Sequence, residues 1–198
     1  MILYLHGFRS SPASVKARQL HAHMQARGLG HLFHCPQLPP SPRAAVALAE
    51  ERIAASRTPV TVVGSSLGGY YATWLAEAYG LKAVLVNPAV AAHLSLGDYV
   101  GPTTNLHTGE SFEFKPEYLD ELRALEVPRL CAPENFLLLV ETGDELLDYR
   151  QAVAKYAGAR QVVIEGGDHS FRHWSEYLDA ILEFAGLKGL ACSARGDP

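Results

Sequence analysis

Residues 59–76 read PVTVVGSSLGGYYATWLA, an apolar β-branched run that breaks into serines and glycines and then resumes at once as helix-forming residues. Packing alone gives no reason for so abrupt a change of period, whereas a strand that must present one hydroxyl at its tip needs it. The pattern G-x-S-x-G fits one frame, Gly64, Ser66 and Gly68; centring it on Ser65 would need glycines where Val63 and Leu67 stand. That spacing describes a sharp strand-to-helix turn, with the nucleophile in strained backbone and neighbours two positions away too small to clash. Ser66 is therefore the candidate nucleophile. Leu67 opens the helix, and its N–H, at the positive end of the helix dipole, is a candidate oxyanion donor. Phosphate binding is the rival use of such a turn, but GSSLGG lacks the Gly-Lys-Ser/Thr ending of a P-loop and the spacing of a dinucleotide fingerprint.

A serine hydroxyl is a poor nucleophile until a base takes its proton, so the motif calls for a histidine later in the chain. His169, in EGGDHSF, follows the last apolar run. The imidazole in turn needs an acid to fix its tautomer, and Asp144 in FLLLVETGDELLDY sits just past an intervening strand. Asp148, four residues on, is its local rival and is expected inside the following helix. The order Ser66, Asp144, His169 is that of α/β-hydrolases; two other serine hydrolase arrangements use different orders. The second oxyanion donor is expected after the first core strand, in LYLHGF, where Gly7 permits a tight turn and Phe8 supplies the N–H. His6 is read as the residue that holds this loop, and Ser65 as structural.

The rest of the chain repeats a strand-then-helix beat. Apolar runs near 2–5, 31–35, 60–64, 83–87, 136–141 and 161–164 alternate with segments of helical period, as in a mainly parallel sheet of about six strands with helices on both faces. Ser11 with Pro12 and Ser41 with Pro42 look like helix starts, and Gly28, Gly80, Gly158 and Gly186 like helix stops. Residues 90–135 are a long interval with one helical candidate, PEYLDELRAL, and read as an insertion that could serve as a lid. Residues 1–187 are expected to form one domain without a large cap, and 188–198 a disordered tail.

Net charge is −4, and no block of Lys or Arg stands alone, which argues against nucleic acid or an anionic membrane as partner. The start MILYLHGF has no basic leader, and no apolar stretch approaches membrane-spanning length, so a cytoplasmic protein without membrane insertion is expected. Three widely spaced cysteines, Cys35, Cys131 and Cys192, suit reduced thiols better than disulfides or zinc. His21 and His23 face different sides of a helix, and the other histidines show no ligand spacing, so no metal is expected.

LYLHGFRSSP, PQLPP, GSSLGGYYATWLA, VNPAV, TGDELLDYRQA and VIEGGDHSF together resemble the YqiA-type esterases, small bacterial α/β-hydrolases without a large cap domain. The similarity runs from about residue 2 to residue 187. It implies hydrolysis of acyl esters or thioesters with no metal and no organic cofactor, and a triad of Ser66, Asp144 and His169. Asp168 departs from the family pattern, where an uncharged amide is expected before the histidine; a carboxylate there could alter the pKa of the base. The expectation is a serine esterase working through an acyl-enzyme on a small-molecule acyl ester. An acyl-CoA thioesterase is the alternative within the enzyme class, and a non-catalytic ligand-binding protein of hydrolase fold the alternative outside it. Acyl length, leaving group and oligomeric state are left open.

Overall fold

The computed structural model describes residues 1–189. The expected tail therefore falls, apart from Lys188 and Gly189, outside the described residues. Six parallel strands form the sheet in the order β2-β1-β3-β4-β7-β8: β1 (Ile2–Leu5), β2 (Phe33–His34), β3 (Thr61–Ser65), β4 (Lys82–Val86), β7 (Phe136–Glu141) and β8 (Arg160–Ile164). Every pairing is parallel, with Leu5 opposite Gly64, Ser65 opposite Val86 and Glu141 opposite Ile164. The four central strands are apolar almost without interruption because both of their faces are covered. The expected mainly parallel α/β sheet is thus observed.

The two-residue side-chain period divides the core in two. Leu3, Leu5, Val62, Leu85, Leu138 and Val140 pack with helices α2 (Pro42–Ala54), α3 (Leu67–Tyr79), α5 (Glu117–Ala124) and α6 (Tyr149–Lys155). Ile2, Tyr4, Val63, Val84, Leu137 and Leu139 pack with α1 (Val15–Gln25) and α7 (Leu178–Phe184) on the opposite face. Tyr70 is buried on α3 and its hydroxyl donates to the Leu122 carbonyl at 2.8 Å, so α3 and α5 are tied by a satisfied polar contact.

Three local expectations need correction. Strand β2 spans two residues instead of 31–35, since Gly30–Leu32 form a 3-10 turn on its approach. Helix α1 begins at Val15; Ser11 makes a preceding turn, accepting from Ala13 N–H on Oγ at 3.1 Å, whereas Ser41 does cap α2 through Ala44 N–H at 3.2 Å. The 90–135 interval is largely structured: α4 (Ala92–Ser95), an antiparallel hairpin of β5 (Gly101–Thr104) and β6 (Ser111–Phe114), then α5. The hairpin signal was the alternation Ser111-Phe112-Glu113-Phe114, whose Phe114 is buried among core residues.

Candidate active site

The carboxyl ends of β1, β3, β4, β7 and β8 carry the loops that matter. Ser66 follows β3 with φ 54° and ψ −119°, a region that L residues rarely occupy. The turn is clamped: Ser66 N–H donates to Val86 O at 3.0 Å, and its own carbonyl accepts from Gly69 and Ala89 N–H at 2.9 and 3.1 Å. It also needs both glycines. A Cβ on Gly64 would drive into the Gly68 carbonyl, and one on Gly68 into the Leu5 carbonyl, so β1, β3 and α3 meet at backbone distance.

His169 lies between Ser66 and Asp144. Its Nε2 is 3.1 Å from Ser66 Oγ, and its Nδ1 is 2.9 and 2.8 Å from the two carboxylate oxygens of Asp144. With the proton on Nδ1, the ring donates to Asp144 and offers a lone pair to the Ser66 hydroxyl. Asp144 is almost wholly buried and its Oδ1 also accepts from Leu146 and Leu147 N–H, both at 2.9 Å, which fixes the carboxylate. Asp148, expected inside α6, is instead its N-cap: the carboxylate accepts from Arg150 N–H at 3.0 Å, while the His169 ring is met by Asp144.

Two buried side chains hold the histidine loop. Asn87, at φ 39°, donates through Nδ2 to the carbonyls of Asp168 and His169 at 3.0 and 3.3 Å and accepts Glu141 N–H on Oδ1 at 3.0 Å. Glu141, 0% exposed at the tip of β7, accepts from Asp168 N–H at 2.8 Å, His173 N–H at 3.0 Å and His173 Nδ1 at 2.7 Å. Burial alone would raise its pKa; the His173 and Asp168 hydrogen bonds outweigh burial and leave the carboxyl below the ordinary glutamate range. Glu145 adds a third hold, accepting His169 N–H at 3.0 Å. Sequence reading carried Asn87 only within the VNPAV motif and missed Glu141, although a lone acid ending FLLLVE is a signal of a buried, paired charge.

The Asp168 carboxylate turns away from the ring of its neighbour. It accepts from Ser170 N–H at 2.9 Å, from the Ser170 hydroxyl and from Arg172 Nε at 2.6 Å, and those partners draw its pKa down to about 2. Its charge is met locally, in the loop that it stabilises.

Phe8 and Leu67 flank the serine. Leu67 is the first residue of α3, so its N–H has no intrahelical acceptor, and among the described residues neither it nor Phe8 N–H donates to a protein group. Gly7 runs alongside Ser66. His6 anchors this loop: Leu38 N–H donates to its Nε2 at 3.0 Å, which places the ring proton on Nδ1, 3.0 Å from Gly7 O. Burial lowers the His6 pKa, which keeps the acceptor lone pair available.

The β5–β6 hairpin braces the same loop from outside. Arg9 Nε donates to Thr104 O, Leu106 N–H to Arg9 O, and Asn105 Nδ2 to Ser10 O, each at 2.8 Å. The Phe8 ring packs edge-on against Tyr99, Phe112 and Phe114.

Two cavities open on either side of Phe8. One of about 570 Å³ reaches Ser66 and His169; the other, about 480 Å³, is lined by Phe8, Leu67, Leu38, Pro39, Tyr71 and Phe112. The proline loop and the hairpin thus form one wall of the second cavity. Among the described residues no group of three or more His, Cys, Asp or Glu could hold a metal ion, and no helix is long and apolar enough to cross a membrane.

A parallel sheet with a serine on a strained turn between strand and helix, and with acid and histidine loops at the same sheet edge, defines an α/β-hydrolase fold. Solved structures agree on the fold: a protein from Agrobacterium vitis S4 (TM-score 0.72, 17% identity, covering 93% of this chain and 87% of that one). A monoacylglycerol lipase from Paleococcus ferrophilus superimposes with TM-score 0.70 at 17% identity, covering 93% of each chain. Est1E from Butyrivibrio proteoclasticus, with ferulic acid bound, gives 0.68 at 15% identity over 96% of this chain and 89% of that one. At the level of family the match is closer: the model described as Uncharacterised protein family UPF0227 covers residues 1–186. The chain belongs to that family, which is the YqiA family that its motifs resemble.

Proposed function

We propose that this chain is a serine hydrolase acting on carboxylic esters of small molecules. The observation that carries the reading is the continuous hydrogen-bonded path from Ser66 Oγ through both ring nitrogens of His169 to the buried Asp144, beside two unclaimed backbone N–H groups. In this reading Ser66 Oγ attacks the acyl carbon while His169 takes its proton, and Asp144 orients the ring and stabilises the imidazolium. Phe8 and Leu67 N–H hold the oxyanion; each such donor contributes about 3 kcal/mol of transition-state stabilisation. The acyl carbon–oxygen bond then breaks, with the His169 proton passing to the leaving oxygen. Water, activated by the same histidine, releases the acid. The monoacylglycerol lipase among the structural neighbours supports an ester as substrate at the level of fold analogy.

The test is hydrolysis of p-nitrophenyl esters from acetate to palmitate by the wild type, by Ser66→Ala and after treatment with a serine-directed phosphonate. Loss of about 10⁴ to 10⁶ in kcat in the variant, with labelling at Ser66 in the wild type, is expected. Wild-type turnover by Ser66→Ala overturns the reading. The chain-length profile sizes the apolar cavity.

A further inference from the structure

The two cavities are not equivalent with respect to His169. In ester hydrolysis the leaving oxygen must collect its proton from His169 Nε2, so the leaving group lies on the histidine side of the reacting carbon. The larger cavity is lined by Ser66 and His169; the smaller has the oxyanion residues Phe8 and Leu67 but neither Ser66 nor His169. The smaller cavity, walled in part by Leu38, Pro39, Tyr71 and Phe112, therefore suits the acyl chain, and the larger cavity the alcohol or thiol portion.

That larger cavity is built for charge. Lys16 and Arg172 line it alone, and Arg9 is shared with the smaller cavity, against a single lining carboxylate, Glu145; Asp168, paired with Arg172, offsets part of that excess. Lys16 Nζ gives one of its three donors to Ser170 O at 2.8 Å. The N-terminus of α1 faces the same space through Ser14, Val15 and Lys16, with no acidic residue in its first turn and no side-chain cap on Ser14. Ser14 Oγ is buried without a hydrogen-bond partner among the described residues, a second sign of a group that such a ligand would satisfy. A helix of eleven residues with free first-turn N–H groups, an unpartnered hydroxyl and clustered cations is how proteins hold phosphate.

We propose that this cavity is a leaving-group subsite for an anionic alcohol or thiol, with a phosphate as its best occupant. The inference rests on the serine hydrolase reading. Chemically, the acyl carbon–oxygen bond breaks, the acyl carbon bonds to Ser66 Oγ, and the leaving oxygen departs as a hydroxyl bearing the His169 proton while its phosphate stays on the α1 and Lys16 side. Burial draws the Lys16 ammonium down to about 8 against the pull of Asp168, Glu141 and Asp144, so an added anion there also favours its charged form.

Three matched substrates separate the sources of charge: 1-butyrylglycerol, its 3-phosphate, and 3-butyrylglycerate, which carries a carboxylate in place of the phosphate. The expected order in kcat/KM is phosphate, carboxylate, neutral, with about tenfold or more between the first and last. The Arg9→Gln/Lys16→Met double variant is expected to collapse that ratio. A wild-type ratio at or below one overturns the subsite, while Ser66-dependent turnover of 1-butyrylglycerol leaves the ester reading standing. Direct binding decides the matter without turnover. Glycerol 3-phosphate should bind both wild type and Ser66→Ala by titration calorimetry and at least about tenfold more weakly to the double variant, with circular dichroism verifying the fold; no difference among folded proteins overturns the proposal.

Discussion

The proposed triad and the proposed oxyanion loop meet at Ser66 but are held by different parts of the molecule. Ser66 and Asp144 follow the central strands β3 and β7 and His169 follows the edge strand β8, and their loops are locked by Val86 O, Asn87 and Glu141, groups belonging to β4 and β7 or the residues beside them. The loop carrying Phe8 leaves β1 and takes its outer support from the insertion, through Thr104, Asn105, Leu106 and three aromatic rings. Ser66 is thus tied to the sheet itself, whereas the Phe8 N–H, a proposed oxyanion donor, is only as well placed as a two-stranded hairpin can make it. A hairpin of that size has little stability of its own. Changes on the triad side should therefore strike chemistry or the whole fold, and changes in the hairpin should strike kcat with a small cost in stability.

The largest effect is expected from Asp144→Asn, which keeps the shape but takes away the charge that fixes the His169 tautomer. kcat on the best p-nitrophenyl ester should fall by about 10⁴ with Tm little changed. An unchanged kcat would remove Asp144 from the mechanism. Next comes Glu141→Ala, which removes the buried acceptor of the partly exposed His173 ring and of the His173 and Asp168 N–H groups; urea unfolding should show a loss of about 2 kcal/mol. The pH dependence has a definite sign. Because the folded pKa of Glu141 is depressed, its contribution is complete above the ordinary glutamate range and is lost as pH falls through the lower folded value, so wild type and Glu141→Ala should converge only in strong acid.

The same contrast explains what the sequence made legible. Ser66, Gly64 and Gly68 were readable because a strained turn admits few residue types, and the central strands because burial on both faces leaves near-continuous apolar runs. The order of Asp144 and His169 followed from the connectivity of the fold. What supports the loops was not readable: Asn87, Glu141 and Asn105 reach the loops they hold through residues 27 to 95 positions away, which no local pattern encodes. The hairpin was passed over since its strands are short and its exposed face is polar, leaving one alternating tetrapeptide as the only sign. Asp168 is a related case, as adjacency in the chain does not say which partners a side chain takes.

Asn105 puts the hairpin side of the comparison to a finer test. Its Nδ2 donates to Ser10 O, while its Oδ1 accepts from His107 and Thr108 N–H at 2.9 and 3.1 Å and so shapes the hairpin tip. Asn105→Asp keeps the acceptor for the tip and deletes the donor to the oxyanion loop. It should lower kcat by about tenfold with KM nearly unchanged, the pattern of an interaction realised in the transition state. Asn105→Ala, which loses both functions, should cost more in Tm. Equal kcat for wild type and Asn105→Asp would mean that the hairpin does not position Phe8.

The smallest effect is expected at Asp168, although it stands beside the candidate base in sequence. Its carboxylate is engaged by the Ser170 hydroxyl and N–H and by Arg172, which hold it down to about 2, so it carries the same charge at every pH where His169 could act as a base. It cannot contribute a limb of its own to a pH–rate profile in that range, and the adjacent Arg172 offsets its field at the ring. Asp168→Asn should then move the acid limb of kcat/KM by less than about half a unit, a small shift for a vicinal charge. A displacement of a full unit would show that the Asp168 charge reaches His169 despite Arg172. That result would put the histidine loop, alone among the triad loops, under the control of a surface ion pair.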